Sequence, residues 1–158
     1  MTLQSEKTYY FEDYTPGREF RLGPCTFSRD DVIAFASEFD PQPMHLDEEA
    51  GKASILGGLA ASGWHVSAMM MRMMADSYIL DSAALGAPGV DHVRWKKPVL
   101  AGDVITGVSR VQSSRPLKSK PGIGLVELVH ELYNQRGDLV CESMAPLFLR
   151  MRKGEQDR

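Results

Sequence analysis

Between Leu59 and Tyr78 the chain places apolar residues on nearly every face of a helix, and this segment limits the possible folds more than any other. Ala60, Gly63, Trp64, Ser67, Ala68, Met71, Ala75 and Tyr78 share one face. Val66, Met69, Met70, Met73 and Met74 fall on the others, and only His65, Arg72 and Asp76 are clearly polar. A helix that is apolar nearly all round has to be enclosed. No stretch reaches the ~20 apolar residues of a bilayer span, so the enclosure must come from the rest of a water-soluble fold. Gly63, Ser67 and Ala68 would let a sheet approach the helix backbone closely.

The enclosing material is legible downstream. Extended segments are expected around Val90–Trp95, Val104–Gln112, Gly124–Asn134 and Leu139–Met151, separated by turn-like stretches at 84–89, 98–103, 113–122 and 136–138. In the third of them Val126, Leu128, Val129 and Leu132 alternate with Glu127, His130 and Glu131. Upstream, Arg18–Phe27 reads as extended. Ser28 then caps a helix whose first turn carries Asp30 and Asp31, whose apolar positions are Val32, Ile33, Phe35, Ala36 and Phe39, and which ends at Asp40. Asp47 can cap a second short helix that Gly57-Gly58 would interrupt. The order predicts an α+β domain, an antiparallel sheet wrapped around a long central helix. With 158 residues, a single domain over 1–152 and a flexible tail over 153–158 are expected.

Charge narrows the partners. The sum is -3, with no basic excess to hold a polyanion, so nucleic acid is not expected. Residues 1–60 hold eleven acids against five bases, whereas 94–120 hold Arg94, Lys96, Lys97, Arg110, Arg115, Lys118 and Lys120 against Asp103 alone. That cluster is either a solvated surface or a site for a phosphorylated small molecule. Cys25 and Cys141 lie in apolar stretches without metal-ligand spacing and read as reduced core thiols. With no apolar leader at Met1–Tyr10, a cytoplasmic location and no membrane association are expected.

The segment Asp40-Pro41-Gln42-Pro43-Met44-His45 concentrates the chemistry. Two prolines remove two donors and push Asp40 and Gln42 from helical angles, giving a stiff loop. An ionised Asp accepts only, while a neutral His both donates and accepts, so a nearby pair can hold one water and move protons near pH 7. The same residues can also serve plainly, Asp40 capping a turn and His45 bonding a loop carbonyl. His45, Asp47, Glu48 and Glu49 could offer ligands to a divalent metal, but solvated capping acids are the commoner arrangement.

The run Phe35–Asp47 with its Asp40-Pro-Gln-Pro-Met-His45 spacing resembles the signature of the MaoC-like dehydratase and (R)-specific enoyl-CoA hydratase family. Tyr10-Phe11-Glu12-Asp13 with Gly17, Ala61-Ser62-Gly63-Trp64, and Lys97-Pro98-Val99 with Gly102-Asp103 extend the likeness. The resemblance implies a hotdog fold and a hydro-lyase acting on a 2-enoyl-CoA without metal or redox cofactor. It makes Asp40 and His45 the catalytic dyad and Gly63 the residue whose N–H faces the thioester oxygen. A glycine at a helix start also permits close packing against a sheet, and both roles can hold together.

Gln42, Ser62 and Trp64 are taken as substrate-binding, and Arg94, Lys96 and Lys97 as contacts for the CoA phosphates. Gln42 stands where the family has Asn, and Met71 where some hydratases carry a polar residue. The resemblance further implies a homodimer or a multiple of it. A hotdog acyl-CoA thioesterase using Asp47 or Glu48, and a non-catalytic acyl-binding subunit, are the alternatives.

Overall fold

The computed structural model describes residues 6–154. Of the expected tail, residues 155–158 lie outside the described residues. Strand β1 (Glu19–Thr26) is followed by α1 (Arg29–Phe39), α2 (Pro43–Leu46), α3 (Glu48–Ala53) and α4 (Gly63–Met74). Then come β2 (Ala84–Gly86), β3 (His92–Trp95), β4 (Val104–Pro116), β5 (Ile123–Tyr133) and β6 (Leu139–Arg150). The strands form one antiparallel sheet in the order β1-β4-β5-β6, and β2 and β3 pair with successive stretches of the far edge of β6. Its concave face holds α4, with Val66, Met70, Met73 and Tyr78 packed against Leu22, Ile105, Val111, Val126, Leu128 and Leu132. The α+β sheet-and-helix architecture expected from the sequence is present.

Local chemistry explains the helix boundaries. The Ser28 hydroxyl accepts the Asp31 N–H at 3.1 Å to start α1. The Asp40-Pro41 step ends it, because proline disfavours helical angles in the residue before it. Pro43 then begins α2, a position where its missing N–H costs no helical bond. The stiff loop expected over residues 40–45 therefore contains a helical turn. The Asp47 carboxylate accepts the Ala50 N–H at 2.9 Å and opens α3.

Several expectations need correction. The central helix begins at Gly63, since Leu59–Ala61 is extended and pairs with Val99–Ala101: Ala61 N–H donates to the Val99 carbonyl and Ala101 N–H to that of Leu59. Its last stretch, Ala75–Ile79, widens into a π-turn. Nor is it enclosed on every side, because Trp64, Ala68 and Met71 form an exposed stripe.

His65, one of the three polar residues of the segment, is buried with its ring stacked on Phe35, since α1 lies over that side of α4. His130 is also inside. Position 130 shares the inner face of β5 with Val126, Leu128 and Leu132, two residues apart along the strand. Ala84–Gly86 is a strand, and β4 continues through a bulge between Val111 and Ser113 to Pro116, where a turn was expected. Cys141 is buried, but Cys25 is only partly covered.

Candidate active site

The α1–α2 junction and the start of α4 meet at one carboxylate. Asp40 Oδ2 accepts the Ser62 hydroxyl at 2.7 Å, and Oδ1 accepts the Gln42 side-chain amide at 2.7 Å. These bonds, Ser62 first, hold the Asp40 carboxyl below the usual carboxylate range, and the nearby His45 ring acts in the same direction. Asp40 is thus ionised at neutral pH. Sequence reasoning gave Gln42 and Ser62 to the substrate; the structure shows both oriented on the acid. Ser62 precedes the first residue of α4 without capping it.

His45 is brought to the same carboxylate by the single turn of α2. Its Nε2 lies 3.4 Å from Asp40 Oδ2, and its Nδ1 lies 2.8 Å from the Ala60 carbonyl. A carbonyl only accepts, so Nδ1 carries a proton. In the neutral ring Nε2 is then a lone pair facing a carboxylate oxygen. A water donating one hydrogen to each fits that geometry. The modest role open to His45, bonding a loop carbonyl, is therefore real and sets the tautomer that leaves Nε2 for chemistry.

A cavity of about 210 Å³ holds His45 together with Ala61, Gly63, Val66, Trp95, Lys96, Lys97 and Val140. Gly63 is the first residue of α4, and its N–H has no acceptor within the helix. A Cβ at this position would fall inside the Trp95 indole, so close packing also demands glycine here. The indole Nε1–H donates to Ser67 Oγ at 3.2 Å, and the Trp64 ring meets Trp95 edge-on at 5.2 Å between centroids. Trp95 was not among the residues expected from sequence; its chemistry comes from β3 lying across α4, a long-range contact without a local signature.

The basic residues divide. Lys96 and Lys97 line the cavity, whereas Arg94 pairs with Glu142 at 3.0 Å, across the β3–β6 ladder. Lys97 also lies 3.4 Å from Asp138. Trp64 is 63% exposed and stands beside Trp95. Among the described residues no group of three or more His, Cys, Asp and Glu side chains is arranged to hold a metal ion, and no helix is long and apolar enough to cross a membrane.

This chain is similar to known proteins. The model of the MaoC like domain matches residues 12–131. The structure of a MaoC-like dehydratase from Rhodospirillum rubrum is 36% identical, with a TM-score of 0.84 over 90% of this chain and 97% of that one. The R-hydratase PhaJ1 from Pseudomonas aeruginosa, at 19% identity and a TM-score of 0.71 over 90% of this chain and 86% of that one, shares the fold. The uncharacterized protein YdeM of Bacillus subtilis is 28% identical over 131 residues, 83% of this chain and 92% of its own length. A domain match over residues 12–131, with the same fold across nine-tenths of this chain in a relative more than one-third identical, places this chain in the MaoC-like family.

Proposed function

We propose that the protein is a hydro-lyase that reversibly hydrates a 2-enoyl-CoA to an (R)-3-hydroxyacyl-CoA. The observation that carries this reading is the pairing of Asp40 Oδ2 with His45 Nε2 at 3.4 Å, beside a cavity that also holds Gly63. The pair accepts both hydrogens of one water and leaves its oxygen lone pair aimed outward. His45 Nε2 takes a proton as the oxygen bonds C3; the C2–C3 π electrons move toward the thioester carbonyl, and C2 is protonated from the dyad. The Gly63 N–H at the start of α4 stabilises the enolate oxygen that forms on the way.

The thioesterase alternative has weaker support. Its proposed base Asp47 is engaged by the Ala50 N–H, and Asp47 and Glu48 do not line the His45 cavity. Of the basic residues, Lys96 is the best placed to meet CoA phosphates, since it lines the cavity and Arg94 and Lys97 are paired with acids. Homodimerisation belongs to the same proposal. The exposed Trp64–Ala68–Met71 stripe lies on the α4 face that Trp95 of the edge strand β3 touches, an apolar surface suited to a second copy. Sedimentation should give a dimer or a multiple of it; a monomer at micromolar concentration would reject this part.

The reading is tested by incubating the full chain with a panel of enoyl-CoA and saturated acyl-CoA esters while following enoyl absorbance and free thiol together. Hydration consumes the enoyl group with CoA still esterified. Release of thiol from saturated esters would favour hydrolysis, and binding without either product would favour a non-catalytic subunit.

A further inference from the structure

The Trp95 indole lies on Gly63, where a Cβ would overlap it, and reaches Ser67 one turn later through its Nε1–H. It therefore covers one full turn, about 5.4 Å, of the 63–67–71 face of α4. On one side of it is the cavity with His45 and Gly63; the next position along the face is Met71, 47% exposed. The indole stands between a half-open, mainly apolar cavity and an exposed apolar stripe. Trp95 is itself 45% exposed and sits on a four-residue edge strand, so it forms a wall rather than part of the deep core.

We propose that Trp95 is the chain-length determinant of the site, confining the acyl group to a short chain by blocking its path along the 63–67–71 face. This inference rests on the enoyl-CoA reading for its substrate class. A four-carbon acyl group fits within a cavity of about 210 Å³ together with the thioester. An eight-carbon chain directed along the 63–67–71 face meets the position the indole occupies. Replacing Trp95 by Ala opens the turn and joins the cavity to the Met71 stripe, while Phe shortens the wall without removing it. Neither change removes Asp40, His45 or the Gly63 N–H, and the eight-to-four-carbon ratio, not the absolute rate, reads the wall.

The test compares wild type, Trp95→Ala and Trp95→Phe as full chains. It measures kcat/KM for hydration of crotonyl-CoA and 2-octenoyl-CoA, and in parallel Kd for butyryl-CoA and octanoyl-CoA, with circular dichroism reporting the fold. The expected result is a preference for four carbons in the wild type. In Trp95→Ala the eight-to-four-carbon ratio should rise at least about tenfold, the scale on which pocket contacts with a few methylenes discriminate, with Trp95→Phe between the two. An unchanged ratio in a folded Trp95→Ala or Trp95→Phe variant, in both turnover and binding, overturns the assignment. If no ester is hydrated but the binding ratio still shifts, the hydratase reading fails and the wall stands; if hydration is found and neither ratio shifts, the wall fails and the hydratase reading stands.

Discussion

Asp40 Oδ2 lies 3.4 Å from His45 Nε2, while the other ring nitrogen of His45 is tied to the Ala60 carbonyl at 2.8 Å. The carbonyl fixes the tautomer, and the tautomer fixes which nitrogen can take a proton from water. Asp40→Asn and His45→Ala are each expected to lower kcat by about 10²–10⁴, the usual contribution of a positioned acid or base, with the fold retained. Their combination should cost little more than either alone, because the two act on one water. Steady-state kinetics checks this. A single variant with near wild-type turnover would remove the dyad from the mechanism.

Ser62 and Gln42 act through Asp40. Their hydrogen bonds stabilise the carboxylate, so removing either should raise the carboxyl pKa and move the acid limb of the kcat/KM profile to higher pH. Ser62→Ala should shift it more than Gln42→Ala, in the order of their effects on the acid. A loss of about tenfold in kcat is expected at neutral pH, since a charge-assisted bond is lost at the orienting group. If both variants lowered activity with an unmoved acid limb, their role would be with the substrate instead.

Gly63 has two reasons to be glycine, and a double change separates them. Gly63→Ala forces a methyl into the Trp95 indole and should destabilise the fold by about 1–3 kcal/mol, the range for overpacking. Trp95→Ala in the same chain should restore most of that stability. Thermal unfolding reads the packing role, and crotonyl-CoA turnover reads the amide role. Recovery of stability without turnover shows that a methyl at 63 still keeps the substrate from the N–H; recovery of both assigns the need for glycine to packing, since alanine keeps the same N–H.

His130 makes stability depend on acidity. It is buried beneath the sheet, its Nδ1 bonded to Ser109 at 2.8 Å and Ser109 in turn to Tyr78 at 3.0 Å, and burial pushes its pKa down from 6.5 to about 4. The unfolded chain binds this proton more readily than the folded one. Stability should therefore be full above pH 6.5 and fall as pH drops toward 4, at about 1.4 kcal/mol per unit. Burial displaces His65 in the same direction. Urea unfolding across this window checks the slope, and His130→Gln should flatten it.

What the sequence disclosed was local. The Asp40–His45 spacing, the proline-defined junction, the Ser28 and Asp47 caps and the long strands all depend on residues within a few positions of one another. Gln42 and Ser62 were singled out for the substrate and not as hydrogen-bond donors to Asp40, and the Ser62 contact spans 22 positions and forms only when α4 docks.

His65 looked polar on its helix because the packing of α1 across α4 has no periodicity in either segment. His130 was misplaced by the Leu128-Val129 pair, which obscured the two-residue repeat of β5. Trp95 carried no signal at all. Its role comes from β3 crossing the α4 start, and the open Trp64–Ala68–Met71 stripe could not be told from a face enclosed by the same chain.

The most direct measurement is the stereochemistry of the product formed from crotonyl-CoA and water by the wild-type protein, resolved by chiral chromatography after release of the acid. One water held by Asp40 and His45 on a single face of the bound enoyl group predicts a single enantiomer of 3-hydroxybutyryl-CoA, the R form under the proposed function, with no free CoA thiol. The S product, a racemate, or thiol release without a hydroxyacyl ester would contradict it.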